Sequence, residues 1–521
     1  MLSLEDKIGQ MFMIGFHGLE PPHWVLDMLA NGQIGGVVLF ARNVANPEQL
    51  ARLTKSCHDA AKHPILIAID QEGGSVTRLY EKDGFTESPG AMVLGAINSE
   101  EIAQEVAALL ASEMRTLGIN WDLAPVVDIT HNINNPSVGT RSLGTNKKLV
   151  SKLAAAQIFG FQGESVAASA KHFPGLGNTS VDTHEALAVI DDTLETLWER
   201  DLVPFRVAVK SRISTVMMTH VKFSQIDPEH PATLSRPVIE DLLRDEIGFQ
   251  GVTCTDCMEM KAVSDHYGSE ESAVLAAIAG QDIILFSHSF NTDSGLYPRI
   301  YDTLLEAAKS GRIPMERIDE SNIRIARLKA RYAITSKPAI DHVGASDRIE
   351  TMNETARLGL VQVHDNAGLL PLSANDSRKI VLIEFASHLD SGIMEAGGVT
   401  AFTEIISTQM PNLESMSLKA AKNPTETIQA ALALAKSADI VILATRNAHL
   451  NPEELEISQQ ILSTAGQVIL LCLRNPYDIL VLENVGTALC TCGDSRPSMR
   501  AAVQALLGQF VPTATLPVSI A

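Results

Sequence analysis

The sequence predicts an α/β protein built of two units in series. The first is an N-terminal (β/α)8 TIM-like barrel over residues 1–335, and the second is a C-terminal α/β sandwich domain over residues 350–521. Three observations lead there. At 521 residues the chain exceeds one core, since single cores stop growing at about 250–300 residues. Short, near-continuous apolar runs alternate with longer amphipathic segments in both halves, as parallel strands covered by helices on both faces do. The rhythm breaks once, at a polar, Ala- and Pro-containing stretch over 327–348, which reads as a helix running into a linker at 336–349.

Taken in order, the first-half runs cover residues 8–16, 34–40, 65–70, 121–129, 168–173, 215–220, 252–256 and 283–287. They are too short and too rich in β-formers to be buried helices, and most end in a polar residue. Eight such units suit a closed barrel better than an open sheet. In that fold the C-terminal strand ends face the active site, and here they carry Asp70, Asp128, Lys171, His172, His220 and Asp256. Beyond the linker, apolar runs at 380–385, 440–445, 468–473 and 488–492 are separated by Ala-rich helical segments such as 425–437. These make a second α/β unit, whose strand ends hold no evident catalytic set.

Hydrophobic residues make up 45% and charged residues 20% of the chain, the balance of a soluble globular protein. Asp plus Glu outnumber Lys plus Arg by 62 to 41, a formal charge of −21. So acidic a surface repels phosphate backbones and anionic lipid, which argues against nucleic acid and membrane partners. An anionic substrate would need a locally basic pocket. Residues 1–7 show no basic n-region or cleavage site, and no apolar run has membrane length, so a cytoplasmic location is expected. The six cysteines lack disulfide-framework spacing. Cys254 and Cys257 form a CxxC, but Cys254 falls in an apolar strand and no second CxxC exists. They read as buried thiols rather than redox or zinc ligands, as do Cys490 and Cys492. Neither metal nor cofactor is expected, and the sequence is silent on oligomeric state.

The most informative segment is 171–184, KHFPGLGNTSVDTH. A strand ends in Lys171-His172, Pro174 with Gly175 and Gly177 breaks it, and Asp182-Thr183-His184 follows on a loop that glycine makes mobile. Asp182 and His184, two apart in an extended loop, point to the same side. A carboxylate beside an imidazole fixes its tautomer and raises its basicity, as general acid/base catalysis requires. An isolated Asp-x-His also occurs in solvated loops, and Gly175-Leu176-Gly177 lacks the GK[ST] of a phosphate loop.

The segment resembles the KHFPGHG-x4-D-S-H loop of bacterial N-acetyl-β-glucosaminidases in glycoside hydrolase family 3. Residues 68–78, AIDQEGGSVTR, are similar to that family's A-x-D-Q-E-G-G-x-V-x-R stretch, and residues 124–128, 139–142 and 248–256 match further segments in order. Residues 363–372 and 473–479 resemble its second domain, so the likeness spans nearly the whole chain. The resemblance implies a glycosidase that removes terminal β-linked N-acetylglucosamine with retention. Asp256 matches the nucleophile, and His184, paired with Asp182, the acid/base. Asp70, Arg78, Arg141, Lys171 and His172 match positions that hold the sugar, although Arg141 also fits a structural salt bridge. His220 fits either substrate contact or packing. Similar enzymes act on muropeptide fragments in cell-wall recycling. One departure is plain: the family has His where this chain has Leu176, which bears on how the loop docks. Phosphorolysis with the same residues, or an amino-sugar-binding protein without catalysis, remain as alternatives. A zinc hydrolase is disfavoured by the lack of an HxH in the first run.

Overall fold

The computed structural model describes residues 2–287, 293, 295–334, 340–373, 376–386, 393–394 and 401–520. The first sheet has eight strands: β1 (Phe12–Ile14), β2 (Gly36–Leu39), β3 (Leu66–Ile69), β4 (Trp121–Asp122), β5 (Ala167–Phe173), β6 (Thr215–Met218), β7 (Val252–Thr255) and β8 (Ile284–Phe286). Neighbours pair in parallel and in chain order, β8 pairs with β1, and a bridge from Cys254 on β7 to Ile283 closes the circle. Every residue of these strands is buried. Burial on both faces, toward the barrel interior and toward the outer helices, explains why they read as unbroken apolar runs.

Two runs divide differently from the expectation. In 8–16 the first part is a helix, Leu4–Gln10, whose N-cap Ser3 accepts from the Asp6 N–H, with Glu5 and Asp6 in the first turn. In 121–129 only Trp121–Asp122 pairs as strand, and the rest runs on irregularly to a bridge between Val126 and Lys171. Helices Glu100–Thr116 and Lys147–Gly163 start at side-chain caps from Ser99 and Asn146 and pack on each other outside the barrel.

Of the expected linker, residues 336–339 lie outside the described residues. A helix, Ser346–Gly359, leads into the second sheet. Its strands are β9 (Val361–Asp365), β10 (Ile380–Phe385), β11 (Glu414–Leu418), β12 (Ile440–Thr445), β13 (Val468–Cys472) and β14 (Thr487–Cys490). The six-stranded order is β9-β14-β13-β12-β10-β11, parallel except for β9 against β14. Helices Thr425–Ser437 and Pro452–Thr464 cover one face, Phe402–Ser407 and Arg496–Leu506 the other, which makes the sandwich.

The two units share a core. Met92 and Val93 of the barrel-side helix Ala91–Ile97 pack with Val381 and Val441 of the second sheet. Polar contacts rim this seam. Arg500 grips both oxygens of Glu81 at 2.7 and 2.5 Å, and buried Glu87 accepts from the backbone N–H groups of Arg496 (2.9 Å) and Glu81 (3.3 Å).

Candidate active site

At the C-terminal rim of the barrel a cavity of about 230 Å³ is lined by Asp70, Arg78, Lys171, His172, His184 and Asp256, with Phe40, Leu123, Met217 and Ile393 among its apolar walls. A larger cavity of about 580 Å³ lies at the opposite end, beside Pro64, Gly118 and Lys329, away from the rim where this fold places catalysis.

Lys171 and His172 are consecutive, yet both reach the cavity. Between Ala170 and Phe173 the register of β5 against β6 shifts, and this irregularity interrupts the strand's alternation of side chains. Fully buried Lys171 Nζ lies 2.8 Å from Asp70 Oδ1 and 2.6 Å from Glu72 Oε1. Arg141 forks onto both oxygens of Glu72 at 2.8 Å, and Arg78 Nη2 lies 3.5 Å from Asp70 Oδ2. Burial opposes charge on Glu72, but Arg141 and Lys171 outweigh it and hold the carboxyl well below its usual range. Burial likewise opposes the Lys171 ammonium, and Asp70 with Glu72 hold its pKa above normal. A buried network of this kind is stable only when every charge is met, and it holds the cavity wall rigid. Asp122, beneath it on β4, is pushed up to about 8 by burial and stays protonated at neutral pH.

Arg141 also donates to His172 Nε2 at 3.2 Å. A guanidinium has no acceptor, so Nε2 accepts and Nδ1–H donates to Asp128 Oδ2 at 2.7 Å. The other Asp128 oxygen takes the Leu176 N–H at 2.7 Å.

Asp256 follows β7, and its Oδ1 accepts from the next N–H, that of Cys257, at 2.7 Å. Burial pushes its carboxyl up, but the facing His220 foremost, together with His184 and the Cys257 N–H, outweighs this and holds it below the usual range. Asp182 Oδ1 receives both the backbone N–H of His184 (3.0 Å) and its Nδ1 (2.7 Å). The loop that carries them is docked. The carbonyls of His184 and Thr183 accept from the Lys261 and Ala262 N–H groups, both at 3.4 Å, on the first turn of the helix after Asp256. Gly177 is required at its own position, because a Cβ there would lie 1.7 Å from the Ile129 carbonyl oxygen.

A family model described as the glycosyl hydrolase family 3 N-terminal domain matches residues 3–328. The chain belongs to glycoside hydrolase family 3. Its barrel and second domain together superpose on a family 3 β-N-acetylglucosaminidase from Paenibacillus sp. str. FPU-7 with a TM-score of 0.92, at 34% identity over 100% of this chain and 99% of that one. Among curated relatives of this family 3 chain, β-hexosaminidase A of Pseudoalteromonas piscicida is 31% identical over 399 residues, 70% of this chain and 66% of its own length. A β-hexosaminidase of Stenotrophomonas maltophilia (strain R551-3) is 37% identical over 294 residues, 55% of this chain and 86% of the relative. A β-glucoside phosphorylase at 21% identity and TM-score 0.81 shares the fold.

Of the residues that the motifs single out in this family 3 chain, six line the cavity: Asp70, Arg78, Lys171, His172, His184 and Asp256. Arg141 and Asp182 stand behind that wall, each holding a residue of it or of its support. His220 is fully buried and holds backbone instead. Leu176 is buried in the core, its N–H and carbonyl held by Asp128 and by Asn135 Nδ2 (2.8 Å). Sequence reasoning passed over Glu72, although it lies inside the quoted AIDQEGG stretch and an acid two residues after Asp70 was a usable signal. It also missed Ile393, whose carbonyl accepts from Arg78 Nη2 at 3.1 Å. No motif marks that residue, because the second domain brings it to the rim.

Proposed function

We propose that the chain is a retaining exo-β-N-acetylglucosaminidase that removes terminal N-acetylglucosamine from peptidoglycan-derived fragments and related glycosides. One observation carries the reading: Asp256 and an Asp182-held His184 line the same small cavity. In the first step the Asp256 carboxylate attacks the anomeric carbon while His184, through Nε2, gives a proton to the departing oxygen. In the second, His184 takes a proton from water as that water displaces Asp256, which restores both groups with net retention. Asp70, Arg78, Lys171 and His172 bind the hydroxyls and acetamido group. At about 230 Å³ the cavity is smaller than the roughly 300–1,000 Å³ of typical ligand sites and suits one terminal sugar. The names of the Paenibacillus and Stenotrophomonas relatives agree with this substrate.

The test is release of 4-nitrophenol from its N-acetyl-β-glucosaminide and, alongside, its β-glucoside. The acetamido sugar should be turned over selectively, and the β-anomer should form first by NMR. Asp256→Ala should lose about 10⁴-fold or more in rate while still binding N-acetylglucosamine. An α-anomer, a sugar phosphate formed in phosphate buffer, or turnover that survives Asp256→Ala would overturn the assignment.

A further inference from the structure

His220 follows β6 at the rim but does not line the cavity, and its side chain is fully buried. Its Nε2 lies 2.9 Å from the Cys257 carbonyl oxygen. A carbonyl only accepts, so Nε2 carries the hydrogen in every state that keeps this bond. Nδ1 lies 2.8 Å from Thr233 Oγ1. Thr233 is itself fixed, its backbone N–H bonded to the Thr219 carbonyl at 3.1 Å and its own carbonyl accepting from Gln281 Nε2 at 3.0 Å. The ring is thus a rigid strut from β6 to the residue after Asp256. That residue, Cys257, is the one whose N–H holds Asp256 Oδ1. Its thiol reaches Ser287 Oγ at 2.9 Å, and the next N–H, that of Met258, bonds to the Leu285 carbonyl at 2.9 Å. The turn is therefore clamped from the β8 side by backbone and thiol, and from the β6 side by His220.

We infer that His220 is a positioning residue for Asp256: it holds the Cys257 carbonyl and thereby fixes the N–H that orients the Asp256 carboxylate toward the sugar. The inference rests on the assignment of Asp256 as nucleophile. A reacting group displaced by about 1 Å loses on the order of 10²-fold in rate, so the strut acts on the glycosylation step and not on sugar affinity.

His220→Leu keeps bulk and removes the donor, and His220→Gln restores an N–H near the place of Nε2. With the activated nitrophenyl substrate the Leu variant should lose about 100-fold in the burst rate of the first step. Its inhibition constant for N-acetylglucosamine should stay within about threefold of the parent, and the Gln variant should recover most of the loss. If the Leu variant does not fold, His220→Asn, which reaches Thr233 but not Cys257, replaces it in the comparison with Gln. Equal losses in the donor and non-donor variants, or sugar affinity falling in step with rate, would overturn the inference. Asp256→Ala in the same assay separates the two claims: an active Asp256→Ala enzyme removes the nucleophile assignment, whatever the His220 variants do.

Discussion

Asp128 joins two parts of the site with one carboxylate. One oxygen fixes the His172 ring, and the other fixes the backbone at the entry to the loop that carries His184. Leu176 is fitted to this arrangement: its N–H and carbonyl hold the loop there, and its apolar side chain is buried in the core. The acid/base role of His184 predicts a split between steps. In His184→Ala the burst of 4-nitrophenol should be nearly spared, since that leaving group needs no proton, whereas turnover of a natural disaccharide should fall about 10²–10⁴-fold. Stopped-flow absorbance on the first and product analysis on the second would check it. Equal losses on both would remove His184 from the role.

At the scale of elements, the 171–184 loop is tied to the irregular segment after β4. Gly177 packs on Ile129, and the Asn132 N–H bonds to the Gly177 carbonyl at 3.4 Å. Gly177→Ala should force the loop off that contact, at an overpacking cost of about 1–3 kcal/mol. It should lower kcat/KM by at least about tenfold while the melting temperature moves by only a few degrees. Calorimetry and steady-state kinetics on the same preparation would test the pairing. The barrel strands were legible in the sequence because both faces of each are buried, so hydrophobicity alone marks them. Two strands of the second sheet were not. Val361–Asp365 and Glu414–Leu418 are its outer strands, half-exposed, and the sequences VQVHD and ESMSL carry no apolar run to find. The site residues on strand ends were legible for the same reason as the strands. Those that reach it from elsewhere, Ile393 above all, depend on how the second domain packs, which no local pattern encodes.

Across the whole molecule, the seam between the units contains an ionisable group. Burial pushes Glu87 up to about 7 from an ordinary 4.5. Between those values the folded chain keeps a proton that the unfolded chain has released, so stability falls as pH rises through this window and stays lowered above it. The upper limit of the loss is on the order of 3 kcal/mol. Glu87→Gln should therefore narrow the difference in urea midpoint between pH 5 and pH 8, and an unchanged difference would show that Glu87 does not titrate in the seam.

The shared core has a practical corollary for anyone trimming the protein. Relatives such as that of Stenotrophomonas align with only 55% of this chain, which invites a barrel-only truncation. In this chain such a cut would bare Met92, Val93 and Ala96, all now buried against the second sheet, and would remove the carbonyl that Arg78 grips. The fragment would carry a new sticky face and a loosened rim, and would tend toward aggregation in the test tube rather than toward a smaller working enzyme.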